Sequence, residues 1–119
     1  IGVAEGVWRP PTDVYETPES LVIKMEIAGM NSKDIAVEIR EGKLFLHGNR
    51  RDRADSGRVK YIQMEIKYTR FERVIDLPEN CDEKRISANY RDGFLIVTLP
   101  KISEERMRSR SIDIEVEES

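Results

Sequence analysis

His47 and Cys81 are each the only residue of their kind in this chain, and that narrows the chemistry the sequence can hold. A lone histidine excludes a multi-histidine metal site, and no nucleophile elbow stands ready to use it as a triad base. It falls at the end of an expected strand and reads as a surface residue. A lone cysteine excludes an internal disulfide, and Cys81 reads as a small, partly buried side chain rather than a redox centre. No glycine-rich phosphate loop and no metal-ligand spacing occurs. Arg50-Arg51-Asp52-Arg53 has the cations for phosphate contact, but Asp52 and Asp55 dilute them and no aromatic platform is expected to accompany them. That cluster reads as a solvated loop. Carboxylates alone are the one enzymatic route left, so we expect no enzyme, no cofactor, no metal and no nucleic acid partner.

What remains is the chemistry of association. Ile112-Asp113-Ile114 stands beyond the last strongly apolar strand, behind a polar spacer, Ser103–Ser111, that carries Arg106, Arg108 and Arg110. In an extended segment residues i and i+2 point to the same side. Ile112 and Ile114 can therefore enter one apolar groove together, and Val116 continues the alternation as a third anchor. Full burial contributes about 1.5–3 kcal/mol for each such side chain, less the cost of ordering the tail. One plug is weak and reversible, whereas many plugs in one closed assembly act with avidity.

The elements that must position such a groove are strands. Leu21, Ile23, Met25 and Ile27 alternate with Val22, Lys24 and Glu26, and Ile35, Val37 and Ile39 alternate with Ala36, Glu38 and Arg40, both at a period of two. Asn31-Ser32-Lys33-Asp34 is a turn cluster between them. Glu41-Gly42 predicts a hairpin turn into a strand at Lys43–Asn49. Residues 50–58 have loop composition. Val59–Met64 reads as a short strand and Thr69–Leu77 as another, closed by Pro78. Arg85–Tyr90 and Phe94–Leu99 form the last hairpin across Asp92-Gly93. About seven or eight short strands with frequent turns predict an all-β, immunoglobulin-like β-sandwich of two antiparallel sheets. A convincing helical period is absent, the segment Ser103–Arg108 being the one stretch that approaches it.

Composition agrees with such a sandwich. The 119 residues suffice for one domain, with 39% apolar and 36% charged residues, so the outer sheet faces must carry the Lys, Arg and Glu side chains. Net charge is −3, from 20 basic and 23 acidic residues, which gives no global pull toward nucleic acid or anionic lipid. No apolar run reaches the roughly 18 residues of a membrane span, and no signal-peptide pattern is present. The expected compartment is the reducing cytoplasm. The organisation expected is a short or remnant N-terminal arm at 1–7, a domain at 8–101, and a flexible C-terminal extension at 102–119.

Several of these motifs, in order, resemble the small heat-shock proteins of the bacterial, plant and archaeal type, which share the α-crystallin domain. Ala88-x-x-x-Asp92-Gly93-Phe94-Leu95 is similar to the family pattern Ala-x-x-x-Asn-Gly-Val-Leu, with both changes keeping the turn and the apolar strand. Trp8-x-Pro10 with Asp13-Val14-Tyr15-Glu16 resembles the domain's entry, and Ala28-Gly29 stands where the family often has Pro-Gly. Phe71-x-Arg73-x-x-x-Leu77-Pro78 resembles its seventh strand, and Ile112-x-Ile114 its C-terminal motif. The resemblance covers about residues 8–114. The departure is at the front, where the family usually has a long arm and only Ile1–Val7 precede Trp8.

The resemblance implies ATP-independent holdase chaperoning by a homo-oligomer whose partners are copies of itself and unfolded client proteins. It implies a groove for tail or client between Ile35, Val37 and Ile39 on one wall and Ile86, Ser87 and Ala88 on the other, with the facing parity left open. It also implies a dimer in which Val59–Met64 crosses to the partner and lies beside residues near Trp8 to Val14. Trp8, Val59, Tyr61, Ile62, Met64, Glu65 and Arg73 are then the interface residues, with Glu65 as the carboxylate mate of Arg73. A fused-strand dimer, as in animal relatives, is the other form. A monomeric adaptor of the CS-domain type, docking on a larger chaperone, is the alternative function.

Overall fold

The computed structural model describes residues 6–52 and 57–103, together with Ile114 and Val116. Seven strands occur among the described residues: β1 (Thr12–Glu16), β2 (Ser20–Glu26), β3 (Ile35–Arg40), β4 (Lys43–Asn49), β5 (Arg70–Asp76), β6 (Ser87–Arg91) and β7 (Phe94–Pro100). They form two antiparallel sheets, ordered β1-β2-β7-β6 and β3-β4-β5. Single 3-10 turns at Ser32–Asp34 and Glu83–Arg85 lead into β3 and toward β6.

The alternation read from the sequence decides which side chains meet. Leu21, Ile23 and Met25 of β2 register with Leu99, Val97 and Leu95 of β7, and all six are buried. Leu44 and Leu46 of β4 and Phe71 of β5 face them from the other sheet as part of the same core. The strand breaks are equally local. Glu41-Gly42 and Asp92-Gly93 both take positive φ at both residues, 50° and 74° in the first and 53° and 83° in the second. That is the two-residue hairpin geometry whose twist matches the flanking strands. Tyr90 then fastens the end of β6 to the turn after β2: its hydroxyl donates to the Ile27 carbonyl at 2.8 Å and accepts the Met30 N–H at 3.1 Å.

Three expectations change. Thr12–Glu16 forms a strand that alternation alone did not single out, because Asp13, Val14, Tyr15 and Glu16 are all exposed and β1 pairs only with β2. Val59–Met64 forms no strand; among the described residues it has no sheet neighbour to satisfy a ladder. The strand expected from Arg85 starts at Ser87, because the Asp82 side chain accepts the Lys84 N–H at 3.2 Å and holds the preceding residues in a 3-10 turn.

Candidate functional site

β3 and β6 are each the outermost strand of their sheet, and between them lies a cavity of about 340 Å³ lined by Val37, Ile39, Glu83, Ile86, Ser87 and Ala88. The geometry follows from the pleat. Val37 and Ile39 pair with Leu46 and Leu44 across β4, so they share the inward parity while Glu38 and Arg40 point out. Ile86 packs on the core from the other wall. The parity question left by the sequence is thus answered for β3. Ile35 shares that parity but packs on the core near Gly48 and is not among the lining residues. Glu83, at the 3-10 turn, is a lining residue that the strand pattern did not single out.

Such a groove is at the small end of ligand-pocket volumes, about 300–1,000 Å³. Its walls offer aliphatic carbon and two strand edges left unpaired among the described residues, which suits an extended segment carrying side chains at i and i+2. Ile114 and Val116, which the sequence offers as anchors, are 89% and 81% exposed in the single chain. Ile112 lies outside the described residues.

The opposite side of the sandwich has its own open edge. β1 and β5 are outermost there. Val14 pairs with the buried Ile23 and so takes the core-facing parity, yet it is 45% exposed. Arg73 registers with the buried Leu46 and is likewise core-facing on β5. Its Nη1 donates to the Pro10 carbonyl at 3.3 Å, while its Nε is buried without an acceptor among the described residues. Burial lowers the Arg73 pKa, with the Arg9 cation adding to the shift.

Trp8 is held inside its own chain. Its N–H donates to the Arg70 carbonyl at 2.8 Å and its carbonyl accepts the Glu72 N–H at 3.0 Å, so it extends the three-stranded sheet as a parallel bridge beside Phe71. The chain then crosses to the other sheet through the buried Pro10. Trp8 and Val14 therefore lie on different sheets, and the free edge near the entry is Thr12–Glu16.

Val59, Tyr61, Ile62, Met64 and Glu65 are all exposed. Ile62, Met64, Ile66 and Tyr68 repeat at every second position and are 98%, 64%, 61% and 37% exposed, with Gln63, Glu65 and Lys67 between them. Such alternation places the apolar set on one face of an extended segment. The Tyr61 hydroxyl donates to the Asp52 carboxylate, and that bond raises the Tyr61 pKa.

Arg50 departs from its reading as a solvated loop cation. Its guanidinium lies 4.4 Å from the Trp8 ring centroid and 5.6 Å from that of Tyr68, and it donates to the Lys67 and Ala28 carbonyls. An aromatic platform does accompany it, brought from 42 residues upstream and 18 downstream. No local sequence signal marks such an arrangement. Elsewhere chemistry is sparse: among the described residues no group of three or more His, Cys, Asp or Glu could hold a metal ion. Cys81 is buried, and that burial raises its thiol pKa.

The profile described as the Hsp20/alpha crystallin family matches residues 13–116. The chain belongs to that family. Relatives include a 17.7 kDa class II heat shock protein of Arabidopsis thaliana, 34% identical over 116 residues that span 95% of this chain and 74% of the relative. Small heat shock protein C2 of Rickettsia felis is 31% identical over 105 residues, spanning 88% of this chain and 67% of the relative. Among solved structures, a small heat-shock protein from Xylella fastidiosa superposes with a TM-score of 0.76 at 27% identity. That match covers 93% of this chain and 98% of the other, and that protein is described as having a distinct high order structure. Heat shock protein 16.0 from Schizosaccharomyces pombe gives 0.74 at 27% identity, covering 95% of this chain and 78% of the other. Membership in the Hsp20/alpha crystallin family makes this an α-crystallin sandwich with a chaperone role, from a family of chaperones rather than enzymes. Among the described residues no helix is long and apolar enough to cross a membrane.

Proposed function

We propose that the protein is an ATP-independent holdase that binds partly unfolded proteins and limits their aggregation. The observation that carries this reading is the cavity between β3 and β6, where Val37, Ile39, Ile86 and Ala88 leave apolar surface beside two unpaired edges. An extended apolar segment of an unfolding client and the chain's own Ile112-Asp113-Ile114 present the same chemistry to it. The tail occupies the groove of a neighbouring subunit at rest, and client displaces it when heat loosens the tail. The dense surface charge keeps the loaded assembly dispersed.

Assembly starts from a dimer made by strand exchange. Supporting this, among the described residues, are the unpaired outer edge of β1, the alternating apolar face of 62–68 with no strand neighbour, and the buried Arg73 Nε that lacks an acceptor. Segment 59–66 of one subunit adds to Thr12–Glu16 of the other, and the partner's Glu65 brings a carboxylate to Arg73. The compartment we propose is the cytoplasm, in keeping with one buried, unpaired thiol.

Light scattering from a heat-unfolding test protein, with this chain added and no nucleotide, tests the reading. Suppression at near-stoichiometric ratios is the expected result. A monomer that leaves aggregation untouched overturns the holdase and favours an adaptor acting on a larger chaperone.

A further inference from the structure

Arg50 is the first residue after β4, and its N–H donates to the Thr69 carbonyl at 3.0 Å, which closes the base of the intervening loop. Its side chain closes that base a second time. Nε and Nη2 both donate to the Lys67 carbonyl, at 2.9 and 2.7 Å, and Nη1 donates to the Ala28 carbonyl at 3.2 Å. The flat face of the guanidinium meets Trp8, with Tyr68 further off. One side chain thereby ties together the entry segment, the turn after β2 and the far end of the loop. A planar fork with a stacking face can do this; a lysine ammonium, compact and strongly hydrated, cannot.

The apolar run Ile62, Met64, Ile66 ends one residue before the clamped Lys67 carbonyl. Fixing Lys67 against its own domain therefore fixes where that run starts its journey to a neighbour. In a strand, a slip of one residue turns every side chain to the other face. We propose that Arg50 is the register-setting latch of the exchanged strand. It is a positioning residue: it makes its contacts within its own subunit and acts through Lys67 on segment 59–66. This rests on the strand-exchange reading above. Without the latch the loop gains slack at its far end, and neighbouring registers on the partner's β1 come within reach.

The test uses the full chain in a Cys81→Ser background with Gln63→Cys carrying a spin label, a position on the face opposite Ile62 and Met64. Pulsed electron–electron spacing is measured between the two labels of the dimer, with Arg50 and with Arg50→Lys. Arg50 is expected to give one narrow distance. Arg50→Lys is expected to broaden or split it and to weaken dimerisation about tenfold, since the fork is lost while the charge stays. Tyr68→Leu, which removes only the more distant stacking partner, is expected to broaden it less and serves if Arg50→Lys does not fold. An unchanged narrow distance in both variants overturns the latch and leaves strand exchange standing. A native dimer with no defined distance overturns strand exchange and the latch with it.

Discussion

Arg73 Nη1 donates to the Pro10 carbonyl at 3.3 Å, while the Nε of the same core-facing guanidinium is buried without an acceptor among the described residues. A buried donor left unmade costs about 1–3 kcal/mol, more when charged. Among the described residues a single chain therefore leaves one buried donor unpaired at the β5 edge. Arg73→Met is expected to weaken the dimer by about 2–5 kcal/mol if the partner's Glu65 supplies that group. Sedimentation of Arg73→Met, Glu65→Gln and the double variant forms a cycle; additive effects would show that the two do not pair.

The groove and tail predict an assembly phenotype separate from the dimer. Ile112→Ala with Ile114→Ala removes up to about 1.5–3 kcal/mol of burial per side chain, multiplied by the number of tails in a closed particle. Size by light scattering behind gel filtration is expected to fall to the dimer. Ala88→Phe, filling the groove from its other wall, is expected to do the same with the tail intact. Unchanged particle size in both would reject the plug.

Tyr90 gives a prediction about the sandwich itself. Its hydroxyl spans Ile27 and Met30, so Tyr90→Phe keeps the ring and leaves the Met30 N–H and the Ile27 carbonyl short of a partner. The expected loss is about 1–3 kcal/mol, read as a lower urea midpoint with an unchanged slope. No shift in midpoint would mean water replaces the hydroxyl without cost.

Glu38 and His47 meet on the outer face of β3 and β4 at 2.5 Å. That hydrogen bond, with the charges of His47 and Arg40 as smaller causes, lowers the Glu38 pKa below its usual 4.5. A depressed carboxylate pKa contributes stability that is present above 4.5 and lost as pH falls through the lowered folded value. Wild type is therefore expected to exceed Glu38→Gln slightly in thermal midpoint near neutrality, with the gap closing in acid. The effect is small because both side chains are well exposed. A gap that persists at a pH well below that range would assign it to something other than the ionised pair.

The sandwich was legible from the sequence because its determinants are local. Alternation at 21–27, 35–39 and 94–99 fixes which face is buried, and Glu41-Gly42 and Asp92-Gly93 fix where the chain reverses. The one strand that escaped, Thr12–Glu16, has a fully paired side only toward β2 and exposed side chains, so no apolar period could mark it. Val37, Ile39, Ile86, Ser87 and Ala88, which line the cavity, were named through family resemblance alone, with the facing parity left open. Tertiary structure alone decided that Ile35 stays out of the cavity while Glu83 enters it, because the 3-10 turn capped by Asp82 sets the angle at which the chain enters β6. It alone brought Trp8 to β5, Pro10 to Arg73, and Trp8 and Tyr68 to Arg50. Those contacts join residues 18 to 64 positions apart, and no periodicity reports a pairing that only the crossing of the chain between two sheets creates.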